Sequence, residues 1–466
     1  MVIGLLFKHL KRMFKYLINI INTFLCSGSS RTIKAKKNIV AGFGVKGVAM
    51  ILGLVKVPII LNYLNAEKYG IWLTIASIVD WVHYFDLGIG HGLRNKFAEA
   101  IAEGDKVKAK KLVSTAYYYI TIIFGIVGIV LIPLLFSINW QKVLNTTLVS
   151  QQELLFSVLF VLVMFILRFI LYQISEILKA VQRPALSDVF LPIASCVTLI
   201  CVFLLRFVSK DSLFLACVAI SAPPVIILLF ANLYFFHKEY KEFSPSLKDI
   251  DNSLFKDTFT LGLKFFIIQL SGLVMFASSN IILTQLVNPS EVTLYNISRQ
   301  YFNLPFMVFG IILSPFWSAI TDAYVRGEYD WIKKSMRSLL IIGGLFVIGE
   351  FMMLIISPWA YRVWIGDSIE IPFMLSAVTS IMFVFYLIGA PFSHFLNGTG
   401  KLELSTRIGI IQVLLFLPIA ILLTKVLGAF GLVLSMIIVN SIPQIVLGPL
   451  QYKMLIQKKA KGIWNK

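Results

Sequence analysis

Acidic residues are scarce in this chain. It holds 23 Asp and Glu against 42 Lys and Arg, a formal net charge of +19. Charge of either sign is thin, at 14% of residues, where an ordinary soluble domain carries about 25%. That leaves too little polar surface for a soluble protein of 466 residues. Cysteine is scarce too: Cys26, Cys196, Cys201 and Cys217 have no metal spacing, and three of them lie in or beside apolar segments. They read as small core residues. The five histidines show no zinc or haem spacing. No G-x-x-x-x-G-K-[ST] phosphate loop occurs, and "GIGHG" (88–92) is too short for a dinucleotide fingerprint. With no catalytic residues, metal ligands or cofactor motif to point to, enzyme readings lack a site.

What the chain has is long apolar runs. It is 58% hydrophobic, with mean hydropathy +0.86, and the first expectation is a polytopic membrane protein. In a soluble chain the positive charge would suggest nucleic acid. Here the basic residues sit between apolar runs, so bilayer contact and topology explain them better than nucleic acid does. No cleavable signal peptide is evident. Lys8, Lys11, Arg12 and Lys15 fall at i, i+3, i+4 and i+7, on one face of a helix whose other face is apolar. Residues 1–38 are therefore expected to form a basic, amphipathic segment on the cytoplasmic surface.

A spanning helix needs about 20 mainly apolar residues. Twelve candidates lie near 39–63, 70–91, 112–137, 153–176, 186–208, 213–236, 258–287, 293–318, 338–357, 371–396, 404–426 and 431–452. With Arg206, Arg407 and Lys425, at the ends of their spans, counted with the adjoining connections, the N-terminus, every second connection and the C-terminus hold 31 Lys and Arg; the alternate connections hold 6, and five lie within spans. This asymmetry places both termini in the cytoplasm.

The polar stretch "FAEAIAEGDKVKAKK" (97–111) has a worn copy, "ITDAYVRGEYDWIKK" (320–334), displaced by 223 residues. Gly104 meets Gly327, and Lys110-Lys111 meets Lys333-Lys334. "LKAVQRPALS" (178–187) and "LNGTGKLELS" (396–405) echo each other at an offset of 218. Each copy occupies the same connection in its half. The expected fold is all-α, two six-helix lobes of about 12 transmembrane helices related by a parallel pseudo-two-fold repeat. The lobes would be 39–243 and 244–466. The paired polar stretches are expected to anchor topology and act as hinges, without touching substrate.

Charges inside spans are costly in hydrocarbon and usually face a cavity. The cations are Lys46, Lys56, Arg168, Lys264 and Arg299; the acids include Asp80, Asp86, Glu176 and Glu350. Lys46 and Lys264 lie near the cytoplasmic side, Lys56 and Arg299 near the outer side, so snorkelling accounts for these four equally well. Arg168 sits near mid-span, where snorkelling fails. It is expected to face substrate, or to pair with Glu176 or an acid of the second span.

The stretch "YGIWLTIASIVDWVHYFDLGIGHGLRNKFAEAIAEGDKVKAKKLVSTAYYY" (69–119) resembles bacterial Wzx-type flippases for O-antigen and related polysaccharide repeat units. These belong to the multidrug/oligosaccharidyl-lipid/polysaccharide exporter superfamily. The match is carried by "EKYGIW", "FDLGIGHGLRNK" and the "GD-x-x-x-x-KK" segment. The resemblance implies a MATE-like pair of lobes around a central cavity in the bacterial inner membrane. It implies alternating access and, as cargo, an undecaprenyl-pyrophosphate-linked oligosaccharide moved from the cytoplasmic to the periplasmic leaflet. Other polysaccharide assembly proteins, such as a polymerase, would be partners, and no cofactor is implied. Arg168, Lys46, Lys56, Lys264 and Arg299 are the candidate substrate-binding residues, since a pyrophosphate is anionic. Asp80 and Asp86 are candidates for a coupling ion or gate. A cation-coupled drug exporter of the same superfamily, a membrane scaffold and a ligase-type enzyme stay open as alternatives.

Overall fold

The computed structural model describes residues 30–80, 89–181, 183–254, 278–367 and 369–465. The amphipathic segment near residues 8–15, Asp86 and Lys264 lie outside them, as does the side chain of Asp80.

The described chain is helical. In order, the main elements are α1 (Ser30–Asp80), α2 (Ile89–Glu103), α3 (Lys106–Phe136), α4 (Gln151–Ala180), α5 (Pro184–Leu205) and α6 (Leu213–His237). A linker with two short 3-10 turns follows. After it come a helical stretch at 278–286, then α7 (Pro289–Val325), α8 (Tyr329–Ile365), α9 (Phe373–Thr399), α10 (Glu403–Ile442) and α11 (Gly448–Ile456). Among the described residues, eight helices are long and apolar enough to cross a membrane, where the sequence leads one to expect twelve.

Two of the eight are broken. α1 has 51 residues, roughly 75 Å if straight, far beyond a bilayer core of about 30 Å. Asn65 interrupts it with a φ of 66°, a left-handed conformation that Asn tolerates better than most residues. Its side chain accepts the backbone N–H of Lys68 at 3.1 Å, so it caps the second arm. α10 breaks at Gly428, φ 59°. There Gln412 Nε2 donates to Asn440 Oδ1 at 2.9 Å, which puts the two arms of α10 side by side. Glu291 Oε2 accepts the N–H of Ala429 at 3.2 Å and caps the second arm.

The repeated polar stretches are mostly helix. α2 runs to Glu103 and α3 starts at Lys106; α7 runs to Val325 and α8 starts at Tyr329. Helices persist past the hydrocarbon because the headgroup zones add roughly 10–15 Å. Only a tight turn is left in each copy, and the two turns are alike. Gly104 and Gly327 have φ of 75° and 76°, a conformation natural to Gly. Asp105 N–H reaches Ala100 O at 3.0 Å, and Glu328 N–H reaches Ala323 O at 2.8 Å, the bond that closes a Schellman-type helix end. The copies differ in what holds them. Lys106, Lys110 and Lys111 pair with Glu242, Asp249 and Asp251 of the linker at 2.9, 2.8 and 3.2 Å. Among the described residues, Lys333 pairs within its own helix, with Asp330 at 3.0 Å. The hydrogen bond from Lys110 holds the Asp249 carboxyl below the usual carboxylate range.

α8 explains how such helices sit. Ile341, Leu345, Ile348, Met352, Ile355 and Trp359 are exposed, recurring every three or four residues along one face. Leu339, Gly343, Glu350, Ser357 and Tyr361 are buried on the other. The exposed stripe is suited to lipid and the buried one packs on α7 and α9. α7 also packs on α1, which lies against α5, while α4 packs on α6.

Candidate functional site

The cations of α1 and α4 meet in a cleft. A cavity of about 290 Å³ is lined by Lys46 of α1, Arg168 and Tyr172 of α4, and Ser187, Asp188 and Leu191 of α5. A second cavity, about 430 Å³, shares Lys46, Ala49 and Leu191 with the first and is closed by Gln300, Leu304 and Met307 of α7. Lys46 thus stands where the two cavities join, between the helices that precede the linker and α7, which follows it.

Arg168 lies midway along α4, and Tyr172 is one helical turn further on, hence on the same face. Arg168 makes no ion pair with a described residue, and neither does Lys46. Glu176, one of the two partners expected for Arg168, is occupied elsewhere. It is buried and accepts from Lys179 Nζ at 2.8 Å. Lys56, half-buried on the same helix as Lys46, donates to Ser195 Oγ of α5 at 3.2 Å. It is close enough to Arg168 for the two like charges to interact. Arg299 is half-buried on α7 and acts on Tyr386 of α9; its neighbour Gln300 is the residue that lines the cleft. The cleft wall thus holds two cations in mainly apolar surroundings, with a third within range of Arg168 and Asp188 as the one acid lining either cavity. Such an arrangement suits an anion: Arg offers a planar fork to phosphate oxygens and Lys a point charge.

Sequence reasoning found the charges but missed Tyr172, Ser187, Asp188 and Gln300. Ser187 does belong to the second sequence echo, and Tyr172 follows from its one-turn spacing to Arg168. Nothing in the local sequence separates Gln300 from Arg299, since one step along a helix turns the side chain by about 100°.

A polar seam joins the helices before and after the linker at the end of the molecule that carries Asn65. Thr74 and Thr284 hydroxyls are 2.6 Å apart. Asn280 donates to Ser77 Oγ at 2.7 Å, and Thr293 to the carbonyl of Ala66 at 2.6 Å. Asn145 donates to the carbonyls of Thr284 and Val287 at 3.1 and 3.2 Å. Backbones approach closely here: a Cβ on Gly70 would lie 1.7 Å from the carbonyl oxygen of Pro289. Lys46 lies on the first arm of α1, 19 residues before the break at Asn65, so the cleft and the seam occupy different depths. Among the described residues, no group of three or more His, Cys, Asp or Glu gathers to hold a metal ion.

The family model for polysaccharide biosynthesis proteins matches residues 35–320. A candidate O-antigen transporter of Salmonella typhimurium (strain LT2) is 21% identical over 314 residues, 67% of this chain and 71% of that protein. A candidate O-antigen export protein of Yersinia pseudotuberculosis is 24% identical over 387 residues, 78% of this chain and 83% of that protein. Among solved structures, the inward-facing conformation of a multidrug resistance MATE family transporter of the MOP superfamily superposes with a TM-score of 0.74. It is 15% identical and covers 91% of this chain and 100% of its own. At that identity the likeness speaks for the fold.

Proposed function

The chain belongs to the polysaccharide biosynthesis protein family, and on that premise we propose that it is a flippase for lipid-linked oligosaccharide repeat units. The cargo would be an undecaprenyl-pyrophosphate-linked glycan, moved from the cytoplasmic to the periplasmic leaflet by alternating access. The chain would be a transporter with no reaction of its own to catalyse. Its twelve crossings would be the eight long apolar helices, with α1 and α10 each counted twice at their breaks, plus α7 and one crossing near 258–287. Residues 39–243 and 244–466 would then form the two lobes, with both termini cytoplasmic.

The observation that carries this reading is the shared cavity of Lys46 and Arg168, neither ion-paired with a described acid. A cation placed at membrane depth costs at least about 2.5 kcal/mol on insertion scales. A pyrophosphate headgroup arriving between the lobes would offset that cost. The outer seam would keep the other leaflet closed meanwhile. A drug exporter of the same fold handles mainly cations, for which an acid-lined cavity is expected.

Surface polysaccharide and drug resistance, measured in cells lacking the chromosomal gene, test the reading. Arg168→Ala should abolish surface polysaccharide while the protein accumulates normally in the membrane, and Arg168→Lys should retain part of it. Full display by a normally expressed Arg168→Ala variant removes this residue from substrate binding. Drug efflux by a wild-type protein that leaves surface polysaccharide unchanged overturns the flippase.

A further inference from the structure

The most isolated charge-bearing group among the described residues is in the C-terminal part, away from the cleft. Glu350 lies on the buried stripe of α8, midway along the helix, with none of its surface exposed. Neither carboxyl oxygen has a hydrogen-bond partner. Its surroundings are built by three helices. Tyr301 of α7 and Tyr361 of α8 are near enough to feel its charge, and their ring centroids are 5.1 Å apart in an edge-on pair. Both hydroxyls are committed elsewhere. Tyr301 donates to the carbonyl of Met353 at 3.1 Å, and Tyr361 shares a hydrogen bond with Ser376 of α9 at 3.2 Å. Ser357 donates to Leu354 O at 2.8 Å.

The groups that titrate or carry charge near Glu350 on the packed elements are few. On α7 they are Tyr301 and Arg299, the latter acting on Tyr386. On α8 it is Tyr361. The buried polar residues of α9 at this end, Ser376, Thr379 and Ser380, do not titrate. On α1, Lys56 is engaged with Ser195 and with the charge of Arg168. No cation among the described residues compensates Glu350.

A bare carboxylate in such a place costs several kcal/mol, and the usual relief is neutralisation. A metal cation needs several oxygens converging on it, and among the described residues no group of three or more His, Cys, Asp or Glu gathers here. A proton needs one carboxyl oxygen. We propose that Glu350 is a proton-binding site: a neutral acid while α7, α8 and α9 are packed as here, exchanging its proton when they part and admit water. By linkage, proton binding then favours this packing over any arrangement that hydrates the carboxyl. The inference rests on the chain being a membrane transporter and is independent of what it carries.

The test uses the purified full chain in nanodiscs of phosphatidylethanolamine and phosphatidylglycerol. Infrared spectra at about pH 7, where a free glutamate is ionised, should contain a protonated-carboxyl C=O band that Glu350→Gln removes. Glu350→Asp should shift the band and keep it, which covers the case in which the Gln variant does not accumulate. Raising the pH should bleach the band reversibly. No band assignable to Glu350 at about pH 7 overturns the proposal. So does loss of the band when sodium chloride replaces choline chloride, because a metal ion would then own the site. No cargo enters these measurements, so their failure and a failure of the polysaccharide assay are separate results.

Discussion

Lys46 is the residue on which the cleft turns, because it lines both cavities while Arg168 lines one. Its position near the start of the apolar span, which begins at Gly42, also permits a bland role, a lysine reaching for the headgroups. Substitution separates the two. If Lys46 contacts a phosphate, Lys46→Gln removes a charge-assisted hydrogen bond worth about 1.5–3 kcal/mol. Transport should fall roughly ten- to hundredfold, read as surface polysaccharide per molecule of membrane protein, with Lys46→Arg largely restoring it. Unchanged polysaccharide in Lys46→Gln assigns the lysine to the headgroups. At this scale the sequence was informative about which residues are costly in a membrane and silent about which meet. Lys46 and Arg168 are 122 positions apart, and only the packing of α1, α4 and α5 unites them. Arg299 drew notice for its charge, yet the uncharged Gln300 beside it faces the cleft. Facing is set by helix rotation against neighbours, which composition does not encode. Lys264, Asp80 and Asp86 remain candidates whose side chains lie outside the described residues.

Between elements, the seam at the Asn65 end is the feature most open to attack. The second arm of α1 passes so near the start of α7 that Gly70 has no space for a methyl group against Pro289. Gly70→Ala must therefore push the two backbones apart, and the hydroxyl and amide contacts at Thr74, Ser77 and Thr293 should loosen with them. The measurement is labelling of a single Thr284→Cys by a membrane-impermeant maleimide, in a background without the native cysteines. Thr284 is fully buried, so labelling should be slow while Gly70 is kept and at least several-fold faster once Gly70→Ala is added. Gly125→Ala is the control, because its Cβ would meet nothing within 4 Å. Equal labelling in all three proteins would mean that this contact does not keep the seam shut. Repeat structure was legible at this scale through its basic stretches, whose turns share the same backbone. The sequence also holds a subtler pair. Asn65 and Asn288 are separated by the same 223 positions. Each accepts the N–H three residues on, at 3.1 and 2.9 Å, and so starts the helix of its own half. A single Asn carries too little pattern to be found by eye. The extent of the polar connections was misjudged for a different reason: polarity marks where hydrocarbon ends, and α2, α3, α7 and α8 continue past that point as helix.

For the whole molecule, the number of crossings decides which face each connection occupies, and the two broken helices make that number a matter of parity. A break that merely bends a helix adds no crossing; one that reverses it adds one and flips everything downstream. The contact between Gln412 and Asn440 argues for reversal at Gly428, and the length of α1 argues for it at Asn65. With both reversals, and one crossing near 258–287, the chain returns to its starting side. This agrees with the distribution of 31 basic residues on one set of connections and 6 on the other. Reporters fused at single positions read the parity directly. Fusions after residues 107, 247 and 330 should be active only as cytoplasmic reporters, and fusions after 145, 288 and 428 only as periplasmic ones. A fusion after residue 428 on the same side as one after residue 456 would make Gly428 a bend and leave an odd number of crossings. A periplasmic signal at 247 has the wider consequence. The linker that Lys106, Lys110 and Lys111 hold would then lie outside, the six-plus-six division would fail, and the matching turns at Gly104 and Gly327 would need an origin other than a duplicated half.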